Sequence, residues 1–265
     1  VKVYTYEPEE RITVFSMTGA SLSSFDGSRL NDAIGVTVAN AGLSAITLPT
    51  TTNKLKDLNL SGNKLKTIDL SAYSNLYWLM LNANDLQTLD VSKNTTLGIL
   101  SASGNQLKSV TLDNPAMWSL DLSTNYFEQI SLDGAPNLEQ VTLAHNYLSQ
   151  LDVSKLTHLR ALVLNNNFFT FNTLPLPKTA YTLYIYTNQS PVDVALVDMT
   201  VDLSEHFEVN GDTTVYRWFI DVPTINEVGE LEGEELVEGV EYTIDNGVTT
   251  FLRSVGEVMC VMTNA

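Results

Sequence analysis

Leu55-Lys56-Asp57-Leu58-Asn59-Leu60-Ser61-Gly62-Asn63-Lys64-Leu65 is one copy of a pattern that returns along this 265-residue chain. Leu76 to Leu86, Leu97 to Leu107, Met117 to Phe127, Leu138 to Leu148 and Leu159 to Phe169 fit the same template, L-x-x-L-x-L-x-x-N-x-L. Its sixth position falls at Met17, Val38, Leu60, Leu81, Ala102, Leu122, Leu143, Leu164 and Ile185, with gaps of 21, 22, 21, 21, 20, 21, 21 and 21. Chance does not hold that spacing over nine points. The two leading copies are degenerate, Ile12-x-x-Phe15-x-Met17-x-x-Ala20-x-Leu22 and Val36-x-Val38-x-x-Ala41-x-Leu43, with Ala in the Asn column. The segment around Leu183 and Ile185 has no following Asn-x-Leu and reads as a closing strand. Atypical end units are expected where a repeat array must cover its exposed core.

The template is the leucine-rich-repeat signature. Alternation puts Leu58 and Leu60 inward and Asp57, Asn59 and Ser61 outward. The column Asn63, Asn84, Asn105, Asn125, Asn146 and Asn167 sits where the chain leaves the strand, and a buried Asn amide there bonds backbone groups of its own and the adjoining turn. A structural ladder is therefore expected, not an active site. About 21 residues leave no room for a full helix and two turns. Segments such as Leu86-Gln87-Thr88-Leu89-Asp90-Val91-Ser92 also favour extended backbone. The reading is a mostly β solenoid with a curved parallel sheet and short extended pieces on the convex side. Asp69, Asp90 and Asp152 raise the alternative of calcium, but Thr111 and Ser131 take that column in other copies, and calcium repeats place their acids in one tight Gly-bearing loop. No metal or cofactor is expected.

Net charge is −17 with a pI near 4.3. Nucleic acid and anionic membrane surfaces are poor partners for such a chain, since phosphates are held by clustered Lys and Arg. No hydrophobic run reaches membrane-spanning length, so membrane insertion is not expected. Val1-Lys2-Val3-Tyr4-Thr5-Tyr6 begins directly in strand-like sequence, as in a mature chain whose signal peptide has been removed. One cysteine, Cys260, excludes an internal disulfide framework. It lies in the apolar run Val258-Met259-Cys260-Val261-Met262 and reads as a buried small hydrophobe.

Residues 1–188 are assigned to the solenoid with its N-terminal cap and closing strand, and 189–265 to a second domain. Asn188-Gln189-Ser190-Pro191 marks the boundary turn. Short β-like runs follow: Val192–Val197, Met199–Leu203, Val215–Ile220, Tyr242–Ile244, Val248–Leu252 and Val258–Met262. Asp245-Asn246-Gly247 is a hairpin signal. The spacing reads as a β-sandwich, with Trp218 and Cys260 placed to pin its core. A seven-stranded sandwich would want one strand more, so the expectation is a longer native chain or a reduced sandwich. The glutamates between Glu227 and Glu241 read as a solvated acidic loop, with a cation site as the alternative.

Leu86-Gln-Thr-Leu-Asp-Val-Ser-Lys-Asn-Thr-Thr-Leu97, followed by Gly104-Asn105-Gln106-Leu107, resembles the 21-residue repeat of internalins. It is similar also to surface leucine-rich-repeat proteins of Gram-negative gut bacteria. Trp218 to Asn264 resembles the immunoglobulin-like module that often follows such solenoids. This chain departs from the internalin pattern in having Leu or Ala (Ala102) where strand cysteines are common. The resemblance implies recognition or adhesion at the cell surface or outside the cell.

The register places three outward columns on the concave face. The first runs Val14, Gly35, Asp57, Trp78, Ile99, Ser119, Gln140, Ala161, Thr182. The second runs Ser16, Thr37, Asn59, Met80, Ser101, Asp121, Thr142, Val163, Tyr184. The third runs Thr18, Ala39, Ser61, Asn82, Ser103, Ser123, Ala144, Asn165, Tyr186. Most are small and polar. Trp78, Met80 and Ile99 form an apolar cluster with Tyr77 at its edge and Trp118 one step outside the columns; Asn82, Ser101 and Asp121 supply polar neighbours. An exposed apolar patch is a candidate interaction site, unless the N-terminal region or a second copy covers it. Val163, Tyr184 and Tyr186 read as packing near the domain junction.

No nucleophile–base pair, phosphate loop or metal cluster appears. His145, His158 and His206 read as solvated turn residues, so an enzyme is not expected. The favoured reading is a monomeric, non-enzymatic recognition protein for a protein or glycan ligand. The alternative is a structural spacer with no ligand of its own.

Overall fold

The computed structural model describes residues 12–170, 172–187, 189–190, 194, 196–209, 211–220, 223–225, 231–255 and 258–264. The strand-like start Val1–Tyr6, half of Val192–Val197, and Glu227 and Glu230 lie outside them. The chain divides into two compact units, 1–169 with 174–190, and 170–173 with 191–265.

The first unit is a parallel β-solenoid. Val14–Thr18, Gly35–Ala39, Asp57–Asn59, Trp78–Met80, Ile99–Ser101, Ser119–Asp121, Gln140–Thr142, Ala161–Val163 and Leu183–Ile185 pair in that order into one nine-stranded parallel sheet. Two parallel pairs, Ser24–Asp26 with Ala45–Thr47 and Thr88–Asp90 with Ser109–Thr111, form the extended pieces away from the sheet. Each turn buries its template leucines: Leu58, Leu60, Leu79, Leu81, Leu100, Leu120, Leu122, Leu143, Leu162 and Leu164 are all at 1% exposure or below. No single turn can bury its apolar face alone, so stability comes from stacking.

The Asn column is a ladder. The Asn105 Nδ2 donates to the carbonyls of Leu81 (2.9 Å) and Ala102 (3.0 Å), and its Oδ1 accepts from the Leu86 N–H (3.1 Å). Asn84, Asn125, Asn146 and Asn167 repeat that arrangement one turn at a time. The residue before each Asn takes left-handed backbone: Gly62, Ala83, Gly104, Thr124, His145 and Asn166 all have φ between 52° and 70°. Gln189 closes the ladder, its amide reaching Phe169, Leu164 and Tyr186.

The aspartates of the calcium alternative have another task. Asp69, Asp90 and Asp152 each accept the backbone N–H of the serine two residues on, Ser71, Ser92 and Ser154, at 2.8–2.9 Å. These Asx turns close three corners of the solenoid away from the sheet; Asp26 makes the same turn with Ser28, and Asp202 makes it with Ser204 in the second unit. The 20-residue gap is absorbed at Asp113-Asn114, where the Asn114 N–H donates to the Gly134 carbonyl at 2.6 Å.

The last strand departs from the sequence register. Ala161, Leu162 and Val163 pair with Leu183, Tyr184 and Ile185, so Leu183 and Ile185 take the outward columns assigned to Thr182 and Tyr184. Tyr184 turns inward, packs against the core, meets Tyr181 at 5.6 Å between ring centroids and donates its hydroxyl to the Pro175 carbonyl. A one-residue slip exchanges the faces of a strand, and the Tyr184 hydroxyl bond favours this phase.

Among its described residues the second unit holds two three-stranded antiparallel sheets around one core, and a two-stranded antiparallel pair, Thr224–Ile225 with Leu231–Glu232. Thr200–Asp202, Val248–Phe251 and Tyr242–Asp245 form one of the three-stranded sheets; Glu208–Val209, Asp212–Phe219 and Met259–Asn264 form the other. The hairpin at Asp245-Asn246-Gly247 is present, with φ of 48° at Asn246 and 83° at Gly247, the signs a two-residue primed turn requires. Trp218 lies in that core, and Cys260, its cross-strand partner within the same sheet, packs against it. Trp218 reaches the other sheet through its indole N–H, which donates to the Thr249 hydroxyl at 3.1 Å, and through an edge-on contact with Phe251. His206 is not solvated. It is buried in the short turn Ser204–His206, whose carbonyl accepts the Thr214 hydroxyl. In the acidic stretch, Glu235 pairs with Arg217 and Glu241 with Arg253.

Candidate functional site

The site begins with the residue just before each sheet strand. Tyr77, Gly98 and Trp118 are successive rungs there: the Gly98 N–H donates to the Tyr77 carbonyl at 2.9 Å and the Trp118 N–H to the Gly98 carbonyl at 3.0 Å. Gly98 lets the Tyr77 ring lie across its own rung. A Cβ on Gly98 would stand 2.6 Å from Tyr77 Cε2 and 2.9 Å from Cζ. The ring thereby reaches the second rung, where the Tyr77 hydroxyl oxygen accepts the Trp118 Nε1–H at 3.3 Å.

Trp78 stands beside this pair on the sheet, in register between Asp57 and Ile99. Tyr77 is 46% and Trp78 45% exposed, while Met80, Ile99 and Trp118 are half-buried. The aromatic half of the site is thus assembled and open to solvent.

The polar half is largely satisfied within itself. Asn82 Oδ1 accepts from Ser101 Oγ (2.7 Å), the Ser103 N–H (2.9 Å) and Ser103 Oγ (3.1 Å). Asp121 Oδ1 accepts from Ser123 Oγ (2.7 Å) and the Ser123 N–H (3.0 Å), and Asp121 Oδ2 lies 3.5 Å from Ser101 Oγ. Ser101, expected to face outward, is 8% exposed, covered where Asn82 and Asp121 lean toward it. Asn82 and Asp121 remain half-exposed.

Among the described residues, no group of three His, Cys, Asp or Glu side chains is placed to hold a metal ion. His145 and His158 are exposed. Burial pushes the Cys260 thiol up to about 12, so it holds its proton at neutral pH. No helix among the described residues is long and apolar enough to cross a membrane.

Two features escaped the sequence reading. The role of Gly98 had one signal, a glycine in a column that otherwise carries Lys56, Tyr77, Trp118, Glu139 and Arg160. The second is an aromatic column directly after the ladder asparagines. Tyr126 and Tyr147 stack at 5.9 Å, and Tyr147 and Phe168 at 5.8 Å, with interplanar angles of 16° and 18°. Its signal was Asn-aromatic in three consecutive turns.

The model of the family described as Leucine Rich Repeat matches residues 54–76. No curated protein matches the chain significantly. Among solved structures, the functional domain of InlJ from Listeria monocytogenes, which includes a cysteine ladder, is similar with a TM-score of 0.54 and 22% identity. The likeness covers 64% of this chain and 38% of the listerial one, so this chain spans well under half of that length. A leucine-rich-repeat protein of Leptospira interrogans is similar with a TM-score of 0.49 and 22% identity, over 61% of this chain and 50% of that one. Where the listerial domain has a cysteine ladder, this solenoid has only its asparagine ladder, and its one cysteine lies in the second unit. At such identity the likeness speaks for the fold alone: the first unit has the fold of a leucine-rich-repeat solenoid, and residues 54–76 match the repeat itself.

Proposed function

We propose that this chain is a non-enzymatic recognition module, secreted or held at a bacterial cell surface, that binds a protein or glycan through the concave, sheet-bearing face of its solenoid. Tyr77, Trp78 and Trp118 are the anchors, with Met80 and Ile99 as their apolar surround and Asn82, Ser101 and Asp121 as the polar margin. The observation that carries this reading is the Trp118–Tyr77 hydrogen bond over Gly98. It fixes two large rings beside an exposed third before any ligand arrives. Aromatic anchors dominate binding energy when they are held in place beforehand, because less side-chain freedom is lost on association. The C-terminal unit is read as a reduced immunoglobulin-like module, and the chain as a monomer.

A second reading, a spacer with no ligand of its own, draws on the polar half of the face. Hydrogen bonds already spent among Asn82, Ser101, Ser103 and Asp121 leave fewer for a partner.

The test is a glycan and host-protein array probed with the wild type beside Trp78→Ala. Specific binding lost in the variant is the expected result. An array on which every specific contact survives Trp78→Ala removes the site from this face, and a wild type that binds nothing favours the spacer.

A further inference from the structure

We propose that the groove along Tyr126, Tyr147 and Phe168 is a second binding site, separate from the sheet-face site, and that it takes a neutral, linear oligosaccharide. The groove encloses about 330 Å³. One wall is the aromatic stack. The other is the left-handed column Thr124, His145 and Asn166, with φ of 55°, 55° and 56°.

Charge sets the ligand class. The chain carries 31 acidic residues and a net charge of −17, yet no Asp, Glu, Lys or Arg is among the described residues lining this groove. Its lining is amides, hydroxyls, an imidazole and rings. An ionic ligand would lose its hydration there without gaining a counter-charge. A polyhydroxylated neutral chain loses little and finds suitable partners. Small-molecule sites commonly join aromatic walls to a few fixed polar groups. Ring edges carry the positive end of the π quadrupole, which suits sugar oxygens, and tyrosine adds a hydroxyl that both donates and accepts.

Repetition sets the length. Each turn contributes one ring and one left-handed polar residue, and the rings recur at 5.8–5.9 Å. That period is comparable to one pyranose unit, so a chain of sugars meets the same contacts turn after turn. The polar wall is also braced: the Asn166 amide lies 3.2 Å from His145 Nε2. Beneath it, the Asn146 amide is committed to the Leu122 and Leu143 carbonyls, which holds the floor rigid.

The test is calorimetric titration of the full chain with β-linked hexasaccharides of glucose, mannose and xylose, beside hexagalacturonate and a neutral hexapeptide as controls. At least one neutral sugar should bind. Tyr147→Ala and Tyr126→Ala should each weaken it about tenfold or more, the loss expected for a central aromatic contact. Trp78→Ala should leave it unchanged, which separates this site from the sheet-face site. Thermal melts establish that each variant is folded; if Tyr147→Ala is not, Tyr126→Ala decides. The proposal is overturned if no neutral sugar binds, if hexagalacturonate or the peptide is preferred, or if affinity survives the tyrosine substitutions. A loss in Trp78→Ala equal to that in Tyr147→Ala would also overturn it, by moving the sugar to the sheet.

Discussion

The Tyr77 hydroxyl oxygen accepts the Trp118 indole N–H at 3.3 Å across 41 positions of sequence, passing over the one residue between them in space, Gly98. In a solenoid, residues one turn apart are spatial neighbours and those two turns apart usually are not. The contact skips a turn because the intervening residue has no side chain. It converts two flexible aromatics at the sheet edge into a single surface beside Trp78.

Gly98→Ala should therefore disturb the site and spare the fold. The added methyl meets the far end of the Tyr77 ring at 2.6 Å, and that ring can swing into solvent. Stability should change by about 1 kcal/mol or less, while indole fluorescence shifts as Trp118 loses its partner. Gly134→Ala is the contrast. There the new Cβ would stand 2.1 Å from the Leu112 carbonyl oxygen, which is backbone and cannot step aside. Its cost should be about 2–3 kcal/mol. Urea unfolding of the two variants checks the pair, and equal losses would refute the account of Gly98.

Asn105→Ala should be among the most damaging single changes. It leaves the buried Leu86 N–H without its partner and takes one of two amide donors from each of the Leu81 and Ala102 carbonyls, which keep those of Asn84 and Asn125. An orphaned buried N–H costs about 1–3 kcal/mol and each half-emptied carbonyl adds less, so the loss is about 2–3 kcal/mol, or roughly 4–12 °C in Tm. Asn105→Asp should not rescue it, since a carboxylate cannot donate to those carbonyls. Calorimetric melting of both variants decides.

What could be read from the sequence was what repeats for a local reason. Leu58 and Leu60 recur because burial alternates along a strand, and Asn63 and its successors because every departing chain needs its backbone satisfied. The closing strand was misread because Leu183, Tyr184, Ile185 and Tyr186 are apolar in either phase, so the pattern could not choose. The hydroxyl bond from Tyr184 to Pro175 did. Tyr77 and Trp78 were visible as large residues in a small-residue column. Their link to Trp118 was not, since it depends on the space above Gly98. His206 looked like a loop residue because nothing near it in sequence announces the core that covers it.

The left-handed column predicts a gain. Thr124 holds φ at 55°, a region costly for a β-branched residue. Thr124→Gly should stabilise the solenoid by about 1 kcal/mol, the backbone strain relieved less the entropy of an added glycine. Thr142→Gly, within a sheet strand, should instead destabilise by about 1 kcal/mol. Opposite shifts in the urea midpoint are the expected outcome; shifts of the same sign would contradict the conformational argument.

Acid should act through the convex corners. Asp69, Asp90 and Asp152 have carboxyls held below the usual aspartate range, chiefly by hydrogen bonds from the side chain and backbone of Ser71, Ser92 and Ser154. A group whose folded pKa is depressed contributes stability above its unfolded value of about 3.9 and loses it as pH falls through the folded value. The chain's net charge of −17 complicates the raw profile, because mild acid first relieves self-repulsion. The comparison should therefore be made against Asp69→Asn/Asp90→Asn/Asp152→Asn, in which amides keep the turns but cannot titrate. The stability difference between wild type and variant should be flat from neutral pH to near pH 5 and shrink steadily below about pH 4. A difference that persists to about pH 2 would mean that these turns owe nothing to charge.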